Sequence, residues 1–346
     1  MSERPAVLVD RFGRVATDLR VSLTDRCSLR CAYCMPPEGL PWLPKPELLT
    51  DDELVRLVGV AVSLGVREVR LTGGEPLLRR GVPELVARLA ALRPRPELSV
   101  TTNGILLGRD AAALAAAGLD RVNVSLDTLD PARFKRITFR DKHAEVLAGL
   151  AAARAAGLEP VKVNAVLLRG VNDDEAPALL RWALAEGYRL RFIEQMPLDA
   201  QHAWDRAAMV TADEVLASLR AVYDLAPVAD PDRGSAPAET WAVLDGPDRA
   251  AWAAFPGPAP RVGIVGSVTR PFCGACDRVR LTADGQLRNC LFATEESDLR
   301  GALRAGADDA ELARRFVASI AGKRAGHGID DPGFLQPARP MSAIGG

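Results

Sequence analysis

The stretch DLRVSLTDRCSLRCAYCM (residues 18–35) joins an alternating, β-branched segment to three cysteines, Cys27, Cys31 and Cys34. Similar strand-like runs recur downstream, and segments with helical periodicity separate them. The runs cover residues 18–24, 68–72, 98–102, 121–125, 161–167 and 189–194. Repeated strand-helix units predict a parallel sheet with right-handed crossovers, either doubly wound or curled into a full or partial barrel. In each case we expect the chemistry at the carboxyl ends of the strands, where the cysteine run lies.

The alternation of strands and helices stops near Asp199. We therefore expect one unit over residues 1–199 and a C-terminal extension over residues 200–346. A stretch rich in Pro, Ala, Gly and Asp, from Pro227 to Pro260, interrupts the extension and is expected to be partly a surface loop or disordered.

Composition limits the classes of function. The 346 residues carry a formal net charge of −1, which gives no reason to expect binding of nucleic acid or of a membrane surface by long-range attraction. Neither a long apolar run nor a secretory signal is evident, so we expect a cytoplasmic protein. In a reducing cytosol, clustered cysteines are typical of metal or redox sites, and three disulfides are the less favoured alternative.

The first cysteine group has the spacing C-x3-C-x2-C and contains no histidine. A tetrahedral zinc site needs four ligands, whereas three thiolates on a [4Fe-4S] cluster leave one iron open to an exogenous ligand. A zinc knuckle or three unrelated thiols are the alternatives. With Tyr33 directly before its last cysteine, the motif resembles the radical S-adenosylmethionine superfamily. The resemblance implies that the open iron binds S-adenosylmethionine and that its reductive cleavage yields a 5′-deoxyadenosyl radical.

A second motif, TGGEP, ends the second predicted strand and contains Gly73, Gly74 and Glu75. Glycines at a strand end let backbone approach a ligand, and a carboxylate can receive an ammonium group, although a Gly-Gly pair alone often marks a tight turn. The resemblance implies that this stretch holds the amino group of S-adenosylmethionine, and that Ser125 and Met196 contact the same cofactor.

The remaining cysteines form a second group with the spacing C-x2-C-x13-C. They are Cys273, Cys276 and Cys290. The chain's histidines lie outside both cysteine spans, and we leave them out of the ligand sets. They are His143, His202 and His327. Three thiolates again predict a [4Fe-4S] cluster with one open iron, and a structural zinc completed by a distant residue is the alternative.

Arg278 and Arg280 lie two residues apart on a predicted strand, so both face the same side. Arginine pairs match phosphate oxygens, and Arg20, Arg70 and Lys162 on neighbouring strands would complete a local anion site. Taken singly, each is an ordinary surface residue.

The combination resembles the GTP 3′,8-cyclase family of molybdenum cofactor biosynthesis, because the chain has both cysteine groups, the Arg-x-Arg pair and a C-terminal Gly345-Gly346. The resemblance implies an incomplete (βα)6 barrel of TIM type, closed by an α+β extension, that converts GTP to (8S)-3′,8-cyclo-7,8-dihydroguanosine 5′-triphosphate. It places the guanine on the second open iron, and no side chain is expected to act as acid or base. The GTP-holding positions are Arg20, Arg70, Thr101, Lys162, Arg278 and Arg280.

The resemblance also implies partners. They are an external electron donor, the downstream cyclic pyranopterin monophosphate synthase and, as in many such enzymes, a second copy of the chain. A peptide-modifying radical S-adenosylmethionine maturase with an auxiliary cluster is the closest alternative, and a noncatalytic iron-sulfur carrier is another. Glu68 departs from the expected pattern, since it shares a strand face with Arg70 and would weaken a phosphate site if it faced inward. Either the strand turns Glu68 away, or the site uses fewer cations.

Overall fold

The computed structural model describes residues 7–229, 234–255 and 260–345. Within these ranges the strands form a single twelve-stranded sheet in the order β12-β11-β10-β1-β2-β3-β4-β5-β6-β9-β8-β7. The strands are β1 (Asp18–Ser22), β2 (Glu68–Thr72), β3 (Glu97–Thr102), β4 (Arg121–Ser125), β5 (Lys162–Ala165), β6 (Arg189–Ile193), β7 (Asp224–Pro227), β8 (Glu239–Asp245), β9 (Arg261–Val265), β10 (Arg278–Leu281), β11 (Gln286–Arg288) and β12 (Ser297–Asp298).

Helices connect the strands of the first unit and cover the extension. They are α1 (Asp51–Ser63), α2 (Val82–Ala90), α3 (Leu107–Ala116), α4 (Pro131–Thr138), α5 (His143–Ala155), α6 (Ala176–Ala185), α7 (Ala212–Arg220), α8 (Leu299–Arg304), α9 (Asp309–Ala321) and α10 (Met341–Ile344), with 3-10 turns at Lys45–Glu47, Pro76–Leu78, Arg249–Ala254 and Cys273–Ala275. None of the helices in the described ranges is both long and apolar enough to span a bilayer.

Strands β1 to β6 are all parallel, and each pairs with the next strand along the chain. Their residues alternate between two environments. Apolar side chains such as Leu19, Val69 and Val122 are fully buried in the main hydrophobic core. The intervening positions are polar or charged, as Arg20 and Arg70 show, and they face the opposite side of the sheet. The concave side of the partial barrel is therefore a polar surface that can form a site.

The C-terminal extension adds strands to both ends of the six-stranded unit. On one side β10 pairs in parallel with β1, and on the other β9 pairs in parallel with β6. The second cysteine group lies directly before β10 and after β11, at the amino end of β10, which pairs with β1. The first group follows the carboxyl end of β1. The predicted partial barrel with a C-terminal extension is confirmed.

Part of the stretch from Pro227 to Pro260 forms regular secondary structure. It contains β8, which pairs antiparallel with both β7 and β9. In the sequence TWAVLD, the buried Val243 packs into the main core and the partly buried Trp241 packs against it. The rest of the expected loop falls partly at residues 230–233 and 256–259, outside the described residues.

Candidate active site

The first cysteine group lines a cavity with an empty volume of about 820 Å³ at the carboxyl ends of β1 to β4. All three cysteines are partly buried. The loop that carries them begins directly after β1 and winds back through a turn in which Cys34 and Met35 donate backbone hydrogen bonds to the Cys31 carbonyl, at 2.8 and 3.0 Å. Local backbone structure thus gathers the thiols at one wall of the cavity.

Gly73 and Gly74 pack against the start of this cysteine loop. The Gly74 N–H donates to the Thr24 carbonyl at 2.8 Å. A Cβ at Gly73 would lie 2.3 Å from that same carbonyl oxygen, and a Cβ at Gly74 would lie 2.3 Å from the Arg26 carbonyl oxygen. Both glycines line the cavity, as predicted, but the contact that requires glycine is the approach of one loop to another.

Glu75 is fully buried next to the cavity. Its carboxylate accepts hydrogen bonds from the Thr102 hydroxyl at 2.7 Å, the Asn103 N–H at 2.7 Å and the Leu77 N–H at 3.0 Å. Burial raises the pKa of Glu75 to about 7. Among the described residues that line the first cavity, Glu75 is not included. Its hydrogen bonds to Thr102 and Asn103 instead link the segments at the carboxyl ends of β2 and β3.

Two polar side chains beside the first cysteines were not predicted as site residues. Asp127, after β4, accepts a hydrogen bond from the Tyr33 hydroxyl at 2.8 Å and another from the Val166 N–H at 2.9 Å. Asn103, after β3, donates its side-chain amide to the Ser28 hydroxyl at 2.9 Å. Both residues directly follow strand ends, and that position was the signal available in the sequence.

The chemistry of the first thiols suits a metal cluster. Burial raises the pKa of Cys27 to about 11 and that of Cys34 to about 12, and burial with the charges of Asp127 and the neighbouring cysteines raises the pKa of Cys31 well above its usual range. A metal must therefore displace the protons when it binds. Among the described residues no three candidate ligands lie close enough to hold a single metal ion. The donor set is three thiols, which suits a [4Fe-4S] cluster with one open iron, whereas a structural zinc site takes four ligands.

The second cysteine group lines another cavity, with an empty volume of about 480 Å³. Cys273 begins a 3-10 turn before β10, Cys276 directly follows that turn, and Cys290 follows β11. Lys323, which was not predicted, donates its ammonium group toward the Cys276 sulfur at 3.5 Å. Burial alone would raise the pKa of Cys276, but the positive charges of Arg278 and Lys323 outweigh it and lower that pKa.

His327 also lines the second cavity. Its Nδ1 accepts a hydrogen bond from the Ile329 N–H at 3.1 Å, so Nε2 carries the proton and donates to the Ser267 carbonyl at 3.2 Å. Both ring nitrogens are engaged in this tautomer, which agrees with leaving His327 out of the ligand set.

A central cavity with an empty volume of about 630 Å³ lies between the two cysteine cavities and shares lining residues with each. It shares Thr101 and Met341 with the first cavity. It shares Met196 with the second, together with both arginines of β10. The central cavity is therefore adjacent to the cavities of both cysteine groups.

The structure brings most of the predicted site residues to these cavities. Five of the six predicted GTP-holding residues line the central cavity, namely Arg20, Arg70, Thr101, Arg278 and Arg280. Ser125 and Tyr33 line the first cavity, as expected. Lys162 lies two residues before Asn164 on β5, so both side chains face the inner side of the sheet. Asn164 lines the central cavity. Met196 lines the central and second cavities, and among the described residues it is not one of those that line the first.

Guanidinium groups in the central cavity carry more positive charge than the structure neutralises. Arg20 Nε and Arg70 Nη2 each lie 3.8 Å from the same carboxylate oxygen of Asp18. Arg278 stacks over the Phe272 ring at 4.4 Å, and its Nε and Nη2 have no hydrogen-bond partner in the described chain. Burial and the neighbouring arginines lower the pKa of Arg20 well below its usual range. An anion bound here would supply the missing partners.

Arg191 on β6 is a further cation of this cavity that sequence analysis missed. It donates to the side-chain oxygens of Asn164 and Asn123, both at 2.9 Å. Burial, together with the charges of Arg70 and Arg121, lowers its pKa to about 9. Strand alternation within RLRFI, which places Arg191 on the inner face with Ile193, was the signal that could have found it.

Glu68 lies on the inner face with Arg70 but nearer to the amino end of the strand. It accepts a hydrogen bond from Arg121 Nη2 at 3.0 Å, and Arg121 also pairs with Glu97. The Glu68 side chain is 43% exposed, and among the described residues it does not line the central cavity. The Glu68 carboxylate is therefore paired with Arg121 outside the cavity and does not face the predicted phosphate site.

The C-terminal segment contacts Arg280, one of the arginines that line the central cavity. The Gly345 carbonyl accepts a hydrogen bond from Arg280, and Gly345 has a backbone φ of +76°. A Cβ there would lie 2.4 Å from the Thr72 hydroxyl and 2.5 Å from the Ser22 hydroxyl, so this position requires glycine. Gly346 lies outside the described residues.

Comparison with known proteins identifies the class and then the family. The family model described as "Radical SAM superfamily" matches residues 21–183, and "Molybdenum Cofactor Synthesis C" matches residues 188–329. The chain is thus a radical S-adenosylmethionine protein with a molybdenum-cofactor-type C-terminal region.

Curated relatives narrow this further. The chain is 65% identical to the GTP 3′,8-cyclase of Streptomyces coelicolor, over 98% of this chain and 96% of the relative. It is 59% identical to that of Mycolicibacterium smegmatis, over 98% and 92% of the two chains. The chain belongs to the GTP 3′,8-cyclase family of radical S-adenosylmethionine enzymes.

A solved structure supports the fold. SuiB of Streptococcus suis bound to S-adenosylmethionine is 14% identical to the chain, with a TM-score of 0.56 over 90% of this chain and 67% of SuiB. At this identity the likeness concerns the architecture alone.

Proposed function

We propose that this chain converts GTP to (8S)-3′,8-cyclo-7,8-dihydroguanosine 5′-triphosphate, the first step of molybdenum cofactor biosynthesis, in the central cavity. The observation that carries the proposal is a cavity between two three-cysteine groups, lined by arginines some of whose buried guanidinium nitrogens have no hydrogen-bond partner in the described chain. A nucleoside triphosphate offers such a cavity a highly charged anion at one end and a flat base at the other.

The first cysteine group is proposed to hold a [4Fe-4S] cluster, with S-adenosylmethionine in the same cavity. When bound, these groups supply a 5′-deoxyadenosyl radical. The chain's part is to position them, because the backbone of Gly73 and Gly74 and the side chain of Ser125 line the space in front of the thiols. Tyr33 fixes the cysteine loop by donating a hydrogen bond to Asp127. Glu75 holds the TGGEP turn by accepting a hydrogen bond from the Asn103 N–H. Met196 would contact the cofactor from the central cavity.

The second cysteine group is proposed to hold another [4Fe-4S] cluster whose open iron receives the guanine. Arg20, Arg70 and Arg278 would bind the triphosphate, Arg280 would link the substrate to the C-terminal glycines, and Lys162 and Thr101 would complete the site. The reaction joins C3′ of the ribose to C8 of the same molecule's guanine. Holding these two carbons in attack geometry and excluding water are the contributions that such a cavity can make.

Several broader features are part of the proposal. Residues 1–199 would form the radical S-adenosylmethionine barrel and residues 200–346 the extension with the second cluster, a division that the two matched family models support. An external donor would supply electrons, and a cyclic pyranopterin monophosphate synthase would take up the product. We further propose a cytoplasmic location and a homodimer.

The test is anaerobic reconstitution of the chain with iron and sulfide, followed by addition of S-adenosylmethionine, a strong reductant and either GTP or ATP. Mass spectrometry should detect 5′-deoxyadenosine and a cyclised nucleotide with GTP and not with ATP. Formation of 5′-deoxyadenosine at the same rate with or without GTP, and unchanged nucleotide, would refute the assignment of GTP as the substrate.

A further inference from the structure

Lys323 is a buried cation outside the central cavity, with 3% of its surface exposed. Its ammonium group has three donors, and the structure provides three acceptors. These are the Cys276 carbonyl at 3.0 Å, the Arg278 carbonyl at 2.9 Å and the Cys276 sulfur at 3.5 Å. All three acceptors therefore belong to the short segment from Cys276 to Arg278, where β10 begins.

A buried ammonium group is costly unless a negative charge lies beside it. Within the described residues no carboxylate forms an ion pair with Lys323, and the one group in its set of acceptors that can become an anion is the Cys276 sulfur. Lys323 follows α9, and its backbone N–H donates a hydrogen bond to the Ile320 carbonyl at 3.0 Å. The lysine is therefore held by a helix that is remote in sequence from Cys276. Its placement against Cys276 is a property of the tertiary fold.

We propose that Lys323 is a positioning residue for the second cluster, which fixes Cys276 and the Arg278 backbone and favours the reduced state of the cluster through its charge. The inference rests on the proposed function, since it requires a [4Fe-4S] cluster on Cys273, Cys276 and Cys290. One-electron reduction adds one negative charge to such a cluster. Hydrogen bonds to the sulfur ligands and nearby positive charge stabilise that added charge and raise the reduction potential.

The experiment uses the full-length chain with Cys27, Cys31 and Cys34 replaced by alanine, so that a single cluster remains after anaerobic reconstitution. In this background, Lys323→Met removes the charge with little change of volume, and Lys323→Arg keeps the charge. Arg324→Met is the matched control, because it removes an exposed cation one residue along the chain. Reduction potentials are measured by titration followed by electron paramagnetic resonance, beside iron content.

We expect the background protein to bind about four irons per chain. In Lys323→Met the equilibrium constant for one-electron reduction should fall at least tenfold, which corresponds to a potential about 59 mV lower. Lys323→Arg and Arg324→Met should each change that constant by less than about threefold, about 28 mV on the same scale.

The possible failures are separable. A background protein that binds no iron refutes the second cluster, and with it the proposed function of that site. A background protein that binds iron, and whose potential is the same after Lys323→Met or falls as far after Arg324→Met, overturns the role of Lys323 alone. If Lys323→Met loses the cluster, its reduction potential cannot be measured, and the test then rests on the iron content and potential of Lys323→Arg. A bound cluster at the background potential supports the proposal, and a lost cluster or a lowered potential overturns it.

Discussion

Replacing Gly74 by alanine should remove the first cluster and leave the second in place. The new Cβ would lie 2.3 Å from the Arg26 carbonyl oxygen and 2.5 Å from that of Asp25. To reach an ordinary contact distance, the cysteine loop must retreat by about 1 Å. Both clashing atoms belong to backbone, so a change of side-chain rotamer cannot relieve the overlap.

The cost can be estimated from the structure. Overpacking of this kind costs about 1–3 kcal/mol. The retreat also strains two backbone hydrogen bonds, from Gly74 to Thr24 at 2.8 Å and from Glu75 to Arg26 at 2.7 Å. At about 1 kcal/mol each, these bring the total to about 3–5 kcal/mol. A domain whose free energy of unfolding lies above the lower limit of the usual range of about 5–15 kcal/mol stays folded after this loss, but its cysteine loop will not keep the geometry of three cluster ligands.

Iron content and S-adenosylmethionine cleavage measure the effect. After anaerobic reconstitution, iron should fall from about eight to about four atoms per chain, and reductive cleavage of S-adenosylmethionine should be lost. Gly108→Ala is the matched control, because a Cβ at this helical glycine meets no atom within 4 Å. A Gly74→Ala protein with full iron content and normal cleavage would show that the contact between the TGGEP turn and the cysteine loop does not hold the first site together.

Three further outcomes follow from the same geometry. Tyr33→Phe leaves a buried carboxylate oxygen of Asp127 without its donor at 2.8 Å and should lower the free energy of unfolding of the apo protein by about 1–3 kcal/mol in urea denaturation, whereas the same change made in an Asp127→Asn protein should cost less. Burial, assisted by neighbouring arginines, lowers the pKa of Lys162 to about 7, so above pH 7 this lysine must take up a proton when the triphosphate binds. GTP affinity measured by calorimetry should therefore fall as pH rises from 7 to 9, and Lys162→Arg should remove this component. Glu68→Gln should change the KM for GTP by less than about twofold, because that carboxylate is partly exposed and pairs with Arg121 outside the cavity. A larger decrease in KM would show that Glu68 repels the phosphates.

The sequence predicted those parts of the fold that depend on local patterning. β2 and β4 have the predicted bounds, because each is a β-branched run between clear turn signals. The capping boxes that begin α1 and α7 involve Thr50 with Glu53 and Thr211 with Glu214, and both are present. The two cysteine groups could also be predicted from the sequence, because the spacing of the thiolates reflects the chemistry of the cluster and not the surrounding fold.

Other features depend on tertiary structure and could not be predicted in this way. Nothing local in the extension indicates that β9 and β10 join opposite ends of the barrel sheet, or that a lysine after α9 contacts Cys276. The interpretation of Gly74 was incomplete for the same reason. A glycine signals close approach, but the approaching group here is a carbonyl about fifty residues earlier in the sequence.

The charge of the central cavity shows how far whole-chain composition can differ from a site. The chain is nearly neutral, with 44 basic and 45 acidic residues. Yet alternate positions of β1, β2, β6 and β10 bring Arg20, Arg70, Arg191 and both arginines of β10 into one space. Desolvated cations repel one another, so folding this cavity without an anion is costly, and Asp18 offsets only part of the charge. A bound triphosphate would supply the missing negative charge, so this cavity should favour GTP over guanosine.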